Sequence, residues 1–253
     1  MNTNPKKLQD KVAVVTGASK GIGADIARHF AAAGASVVVN YSSSKEGADR
    51  VVDEITKGCG KAIAVQANVA KKADVEPLFA AAKNAFGQVD ILVNNAGIYA
   101  FSPLEEITEE QFHKQFDVNV LGLLLTTQEA VKHFDTAGGS IINISSAVTS
   151  ITPPNASVYA GTKGAVDTIT RTLAKELGAR KIRVNAINPG MIETEGVVAA
   201  GLDQGEFRKS IEAQTTLGRI GQPADIAPAA VFLASSDSAY VTGETLRIAG
   251  GLR

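Results

Sequence analysis

In Val12-Ala13-Val14-Val15-Thr16-Gly17-Ala18-Ser19-Lys20-Gly21-Ile22-Gly23 an unbroken apolar run gives way abruptly to a turn holding three glycines. The run Val12 to Thr16, β-branched and without polar alternation, reads as a strand buried on both faces. From Ile22 to Ala33 the apolar spacing changes to that of a helix. Glycines between strand and helix let the chain turn sharply and let backbone amides approach a phosphate, while the helix amino terminus adds partial positive charge. The spacing is G-x-x-x-G-x-G, which is neither the G-x-G-x-x-G dinucleotide fingerprint nor a Walker A loop. Gly17 to Gly21 also fits the G-x-S-x-G nucleophile elbow, but that hydrolase needs a histidine base after its acid. No histidine lies beyond His133, and Ser19 follows the first strand, so the hydrolase reading is set aside.

The same alternation continues along the chain. Ser36 to Asn40, Ala62 to Gln66, Ile91 to Val93, Ser140 to Ile144 and Arg183 to Ile187 read as buried strands. Lys45 to Lys57, Ala73 to Phe86, Glu109 to Phe134 and Val158 to Leu177 carry the helical period. Strands and helices in strict succession specify an α/β fold with a parallel sheet, right-handed crossovers and helices on both faces. In such sheets ligands bind at the carboxyl ends of the strands, where strand order reverses. Thr108 and Gln111 form a capping box at the start of the fourth helix, so the acidic cluster Glu105, Glu106, Glu109 and Glu110 reads as helix-start solvation. Without repeats, low-complexity tracts or a linker, residues 1–253 form one domain.

Composition narrows the function classes. Of 253 residues, 25 are Lys or Arg and 26 are Asp or Glu, a formal charge of -1 that gives no global field for nucleic acid or an anionic membrane. Cys59 is the single cysteine, so an intrachain disulfide and a multi-cysteine zinc cage are excluded. His29, His113 and His133 lack ligand spacing, and no metal site is expected. No apolar window is long enough to span a bilayer, and the polar start, Met1 to Asp10, has no signal-peptide pattern. A cytoplasmic protein is expected.

Taken together, several residues resemble the short-chain dehydrogenase/reductase family, in order and spacing from about Lys11 to Gly251. These are the glycine turn, Asn94-Asn95-Ala96-Gly97 after the fourth strand, Asn119, Ser146, Tyr159 with Lys163, and Pro189-Gly190 after the sixth strand. The resemblance implies a single-domain Rossmann-type doubly wound sheet and an oxidoreductase that interconverts a carbonyl and an alcohol by hydride transfer. Tyr-x-x-x-Lys occurs twice, at Tyr41/Lys45 and Tyr159/Lys163. Thirteen residues before Tyr41 stands Arg28, whereas at that distance before Tyr159 stands Ser146, so the second pair is the catalytic candidate.

Physical chemistry supports that pair independently. Residues four apart on a helix share a face, so the Lys163 ammonium can stabilise the Tyr159 phenolate and lower its pKa. By resemblance, Ser146 holds the substrate oxygen, Lys163 also binds the nicotinamide ribose, and Asn119 maintains a water-linked proton path.

The end of the second strand reads Asn40-Tyr41-Ser42, with no acid to bind a ribose 2'-hydroxyl or repel a 2'-phosphate. Asn40, Tyr41 and Ser42 are expected to bind the cofactor there, and Lys20 and Ser42 can meet such a phosphate. The expected cofactor is therefore NADP (NADPH), with NAD as a weaker alternative. The resemblance further places Gly17, Ser19, Gly21, Ile22 and Gly23 at the phosphates, and Asn68 and Val69 at the adenine. Asn95, Ala96 and Gly97 lie along the cofactor, and Pro189, Gly190, Ile192 and Thr194 at the nicotinamide. Asn68 stands where the family has aspartate; its amide oxygen can still accept from adenine.

Met191 to Gln214 reads as a substrate lid, with Val197, Val198, Leu202 and Phe207 lining a partly apolar pocket. Within the family the pattern is closest to 3-oxoacyl carrier-protein reductases and glucose 1-dehydrogenase-like enzymes. Arg180 and Lys181 are the basic residues available to a carrier protein. The wider expectation is a small-molecule carbonyl or alcohol substrate, with a non-catalytic NADPH sensor as the alternative from another class. A homotetramer is implied by resemblance, through the two long helices and a carboxyl-terminal strand, Thr245 to Ala249.

Overall fold

The computed structural model describes residues 6–199 and 201–252. The strands are β1 (Val12–Val15), β2 (Ser36–Tyr41), β3 (Lys61–Gln66), β4 (Ile91–Asn94), β5 (Gly139–Ile144), β6 (Ile182–Pro189) and β7 (Thr245–Ile248). They form one sheet in the order β3-β2-β1-β4-β5-β6-β7, every pairing parallel. The chain builds outward from β1 through β3, then returns to lay β4 on the other side of β1. That reversal opens a crevice above the carboxyl ends of β1 and β4.

All four residues of β1 are buried, and alternate side chains enter different layers. Ala13 and Val15 belong to one core cluster with Phe30 of α1 (Gly21–Ala32), Val51 of α2 (Lys45–Lys57) and Ile226 of a later helix, while Val12 and Val14 belong to the other, with Phe79 of α3 (Lys72–Phe86). This two-sided burial is why the strand shows no polar alternation.

The fourth helical stretch departs from expectation. It is divided into α4 (Glu109–Phe116), a π-helical turn over Asp117–Leu121, and α5 (Gly122–His133). Thr108 caps α4 by accepting from Gln111 N–H at 3.1 Å, but the Gln111 side chain donates to Ser102 Oγ at 2.6 Å instead of closing the box. After β5 come α6 (Val148–Ile151) and α7 (Ser157–Leu177). After β6 come α8 (Glu195–Ala199), α9 (Gly205–Gln214) and α10 (Pro223–Ala234). Helix α10 is absent from the periodicity reading, although Pro223 at its start and a complete Gln222/Asp225 capping box mark it. Among the described residues no helix is long and apolar enough to cross a membrane, and no group of three or more His, Cys, Asp or Glu could hold a metal.

Candidate active site

The glycine turn is held against the end of β4 by hydrogen bonds and by lack of room. Thr16 Oγ1 accepts from Asn95 N–H and Ala96 N–H, both at 3.0 Å, and Asn95 Nδ2 donates to the carbonyls of Thr16 and Gly17 at 2.8 and 2.9 Å. Gly17 has φ +60°, and a Cβ there would sit 2.8 Å from Ala96 Cα. At Gly23 a Cβ would lie 2.3 Å from Asn95 Nδ2. These glycines therefore bring the two loops of the crevice together, and Asn95 is the brace between them. Helix α1 has no side-chain cap at Lys20. Gly21 N–H instead donates to the Glu195 carboxylate at 2.9 Å, so an anion already sits at this helix amino terminus.

Below the crevice, the π turn carries Asn119 inward. Its Oδ1 accepts from Ile98 N–H at 2.8 Å, and its Nδ2 donates to Ile98 O and Thr162 Oγ1 at 2.8 and 3.0 Å. The side chain thus pins the loop after β4. A Cβ on Gly97 would lie 3.3 Å from Asn119 Oδ1 and 3.6 Å from Lys163 Nζ, so Gly97 keeps the approach to both open. A cavity of about 10 Å³ beside Lys163, lined by Thr16, Asn94, Asn119 and Thr126 among others, has room for about one water.

Ser146 follows β5, and Tyr159 and Lys163 lie one turn apart on α7. The Lys163 ammonium is buried, donates to Ile144 O at 2.8 Å and lies 5.9 Å from the centroid of the Tyr159 ring. Burial lowers its pKa from 10.5 to about 8, against the opposing charge of Asp167. The phenol departs from the sequence expectation. Burial pushes the Tyr159 pKa up, and the hydrogen bond from Ser146 only partly opposes this. The expected lowering by Lys163 is not found: desolvation is the largest influence, with the rings of Tyr99 and Phe101 packed edge-on against Tyr159 at centroid distances of 6.1 and 5.9 Å.

Tyr159, Ser146 and Lys163 open into a cleft of about 550 Å³, together with Asn95, Gly97, Pro189, Gly190, Ile192 and Thr194. Val197, Leu202 and Phe207 line it as expected; Val198 does not and is 49% exposed. Sequence reasoning missed the wall formed by Tyr99, Phe101 and the Pro153-Pro154 turn, and the reach of Leu252 into the cleft. No periodic signal marks these loop residues. The segment expected to serve as a lid comprises α8 and α9. Its base is tied by Arg208 to Glu193 at 3.2 Å and to Glu212 at 2.8 Å, and by Glu193 N–H to Gly221 O at 2.9 Å.

Several residues assigned to direct cofactor contact have other partners. Asn40 is buried; its Oδ1 accepts from Gly17 N–H at 3.1 Å, and its Nδ2 donates to carbonyls including Ala67 O at 3.1 Å. Tyr41 belongs to the core beneath α2. Ser19 is buried, and Val69 packs on Gly122. Asn68 Oδ1 accepts from Ala70 N–H at 3.0 Å, leaving one lone pair for any adenine contact. Lys20 and Ser42 are exposed at the crevice edge. Arg180 and Lys181 precede β6 and so lie at the amino ends of the strands, away from the cleft, which corrects their expected availability to a carrier protein.

The residues present fit a dinucleotide phosphate ester on three observations. A carboxylate occupies the amide at the start of α1, Gly97 leaves the approach to Lys163 open, and no acid stands at the end of β2.

A family model described as Enoyl-(Acyl carrier protein) reductase matches residues 17–253. The chain is 56% identical over 247 residues to an uncharacterized oxidoreductase of Methylorubrum extorquens, covering 98% of this chain and 99% of that one. It is similar to the structure of a blue fluorescent protein from a metagenomic library in complex with NADPH, with a TM-score of 0.91, 38% identity, and coverage of 97% of this chain and 99% of that chain. The structure of the angucycline C-6 ketoreductase LanV with bound NADP gives a TM-score of 0.91 and 36% identity, over 97% of this chain and 96% of that chain.

Proposed function

Since the chain belongs to the short-chain dehydrogenase/reductase family and is an NAD(P)-dependent oxidoreductase, we propose that it interconverts ketones and secondary alcohols with NADP(H), Tyr159 passing the proton. The observation that carries this reading is the convergence of Ser146, Tyr159 and Lys163 at one end of an apolar cleft. When bound, NADPH supplies a hydride; Lys20 and Ser42 would hold its 2'-phosphate, and Gly21, Ile22 and Thr194 its pyrophosphate and nicotinamide ends. Both similar structures named above were solved with that cofactor.

Ser146 donates a hydrogen bond to the substrate oxygen, and Tyr159 releases its proton to the same oxygen as negative charge develops there. Burial raises the phenol further above its ordinary value, so at neutral pH it carries the proton that reduction requires. Lys163 then stabilises the phenolate that remains, across the 5.9 Å between ammonium and ring. Asn119 fixes the loop above the small cavity through which one water would return the proton.

Assembly as a homotetramer rests on apolar surface. Phe112 and Leu121 are exposed along α4 and the π turn, and Leu246 on the edge strand β7.

The direct test is turnover of NADPH with a panel of ketones, followed at 340 nm. Tyr159→Phe should lower kcat by about 10² to 10⁴, with a far smaller change in NADPH affinity. An unchanged kcat defeats the assignment of Tyr159, and higher kcat/KM with NADH than with NADPH defeats the cofactor preference.

A further inference from the structure

Tyr99, Phe101 and Tyr159 form a closed group of rings. Tyr99 and Phe101 lie 5.9 Å apart at 45°, and both meet Tyr159 edge-on, at 63° and 75°. The two loop aromatics nevertheless remain 41% and 48% exposed, and the surface they expose lines the cleft. Phe207, 46% exposed, lines the same cleft from the lid. Large apolar rings left in contact with water are costly unless a ligand covers them.

Charge sharpens the selection. Lys163 is the one charged side chain among the described residues lining the cleft, and its ammonium is directed at Ile144 O. A carboxylate or phosphate on the substrate would be desolvated there without a partner. Thr152 at φ +46° and Pro153-Pro154 hold the adjoining turn in a fixed backbone conformation, and Ser102 N–H donates to Asn155 O at 2.8 Å, tying that turn to the loop of Tyr99 and Phe101.

Resting on the proposed ketone reduction at Tyr159, we infer that the substrates are uncharged ketones carrying an aromatic ring, which Tyr99 and Phe101 select by ring-to-ring contact beside the reacting carbonyl. The carbonyl then points to Ser146 and Tyr159, while the ring lies against the two loop aromatics and beneath Phe207. Aromatic pairs gain about 0.5–1.5 kcal/mol beyond the area they bury, which converts to a preference of roughly 2- to 12-fold over a saturated ring of the same size.

The test compares 1-tetralone with its saturated counterpart 1-decalone, and acetophenone with 4-acetylbenzoate. kcat/KM should favour 1-tetralone several-fold, with the difference lying in KM, and the carboxylate should reduce kcat/KM at least about ten-fold. Phe101→Leu, which keeps apolar bulk without the ring, should bring the two bicyclic ketones within two-fold of each other. Calorimetric titration of both ketones into the protein saturated with NADP⁺ reads the same preference without turnover.

Equal binding and equal kcat/KM for the bicyclic pair, or a preference for 4-acetylbenzoate, overturns the inference while leaving ketone reduction standing. If no ketone is reduced with either cofactor, the functional reading fails, and the calorimetric preference still decides whether the aromatic wall selects rings.

Discussion

At the scale of single residues, the proposed chemistry turns on two groups moved in opposite directions by the same burial. The Tyr159 phenol is raised and the Lys163 ammonium lowered to about 8, since a low-polarity surrounding disfavours either charge. On the proposed mechanism, kcat/KM for reduction is maintained below about pH 8 and falls above it as Lys163 loses its proton. Stability should run the other way. With a folded pKa of about 8 against 10.5 for the ordinary side chain, Lys163 costs the folded state below pH 8, and that cost is relieved as pH rises through the window between the two values. Rate profiles and thermal melts across pH 7 to 10.5 separate the two effects, and a rate limb absent near pH 8 would detach Lys163 from the reaction. The pairing of Tyr159 with Lys163 was legible because it is a local helical spacing. The raised phenol was not, because the rings around it come from a loop about sixty residues earlier in the chain.

Among the elements, the β1-to-α1 turn and the π turn do most to shape the site. Gly17→Ala combines a left-handed backbone with a Cβ 2.8 Å from Ala96 Cα. It should destabilise the fold by about 1–3 kcal/mol, a fall in Tm of roughly 2–4 °C per kcal/mol for a chain of this size. A melting temperature within a degree of the parent would show that the loops can part without cost. Glu195, at the start of α8, occupies the Gly21 amide that a cofactor phosphate would take. Glu195→Gln should therefore tighten NADPH, read by fluorescence titration, by roughly 2- to 5-fold, the worth of one charge at a helix terminus; an unaltered Kd would mean that the carboxylate does not compete. The π turn was hidden in a continuous helical period, because one additional residue in a turn shifts the apolar spacing too little to interrupt it.

For the whole molecule, the parallel sheet leaves β7 as an edge, and Phe112 of α4 and Leu121 of the π turn exposed. Light scattering of the purified protein should give a tetramer, and Leu246→Lys should shift it toward smaller assemblies; a monomeric parent would remove the assembly reading. The sequence by itself determined the alternation of strands and helices, the glycine turn and the Ser146, Tyr159 and Lys163 set. Those features are written in spacings of a few residues or in a motif order that survives without coordinates. Only the tertiary structure decided that Asn40 braces Gly17, that Tyr99 and Phe101 enclose the phenol, and that Glu195 reaches the start of α1 from 174 residues away. Such contacts join loops distant in the chain, and their hydrogen bonds and desolvation depend on three-dimensional neighbours that impose no period on the sequence.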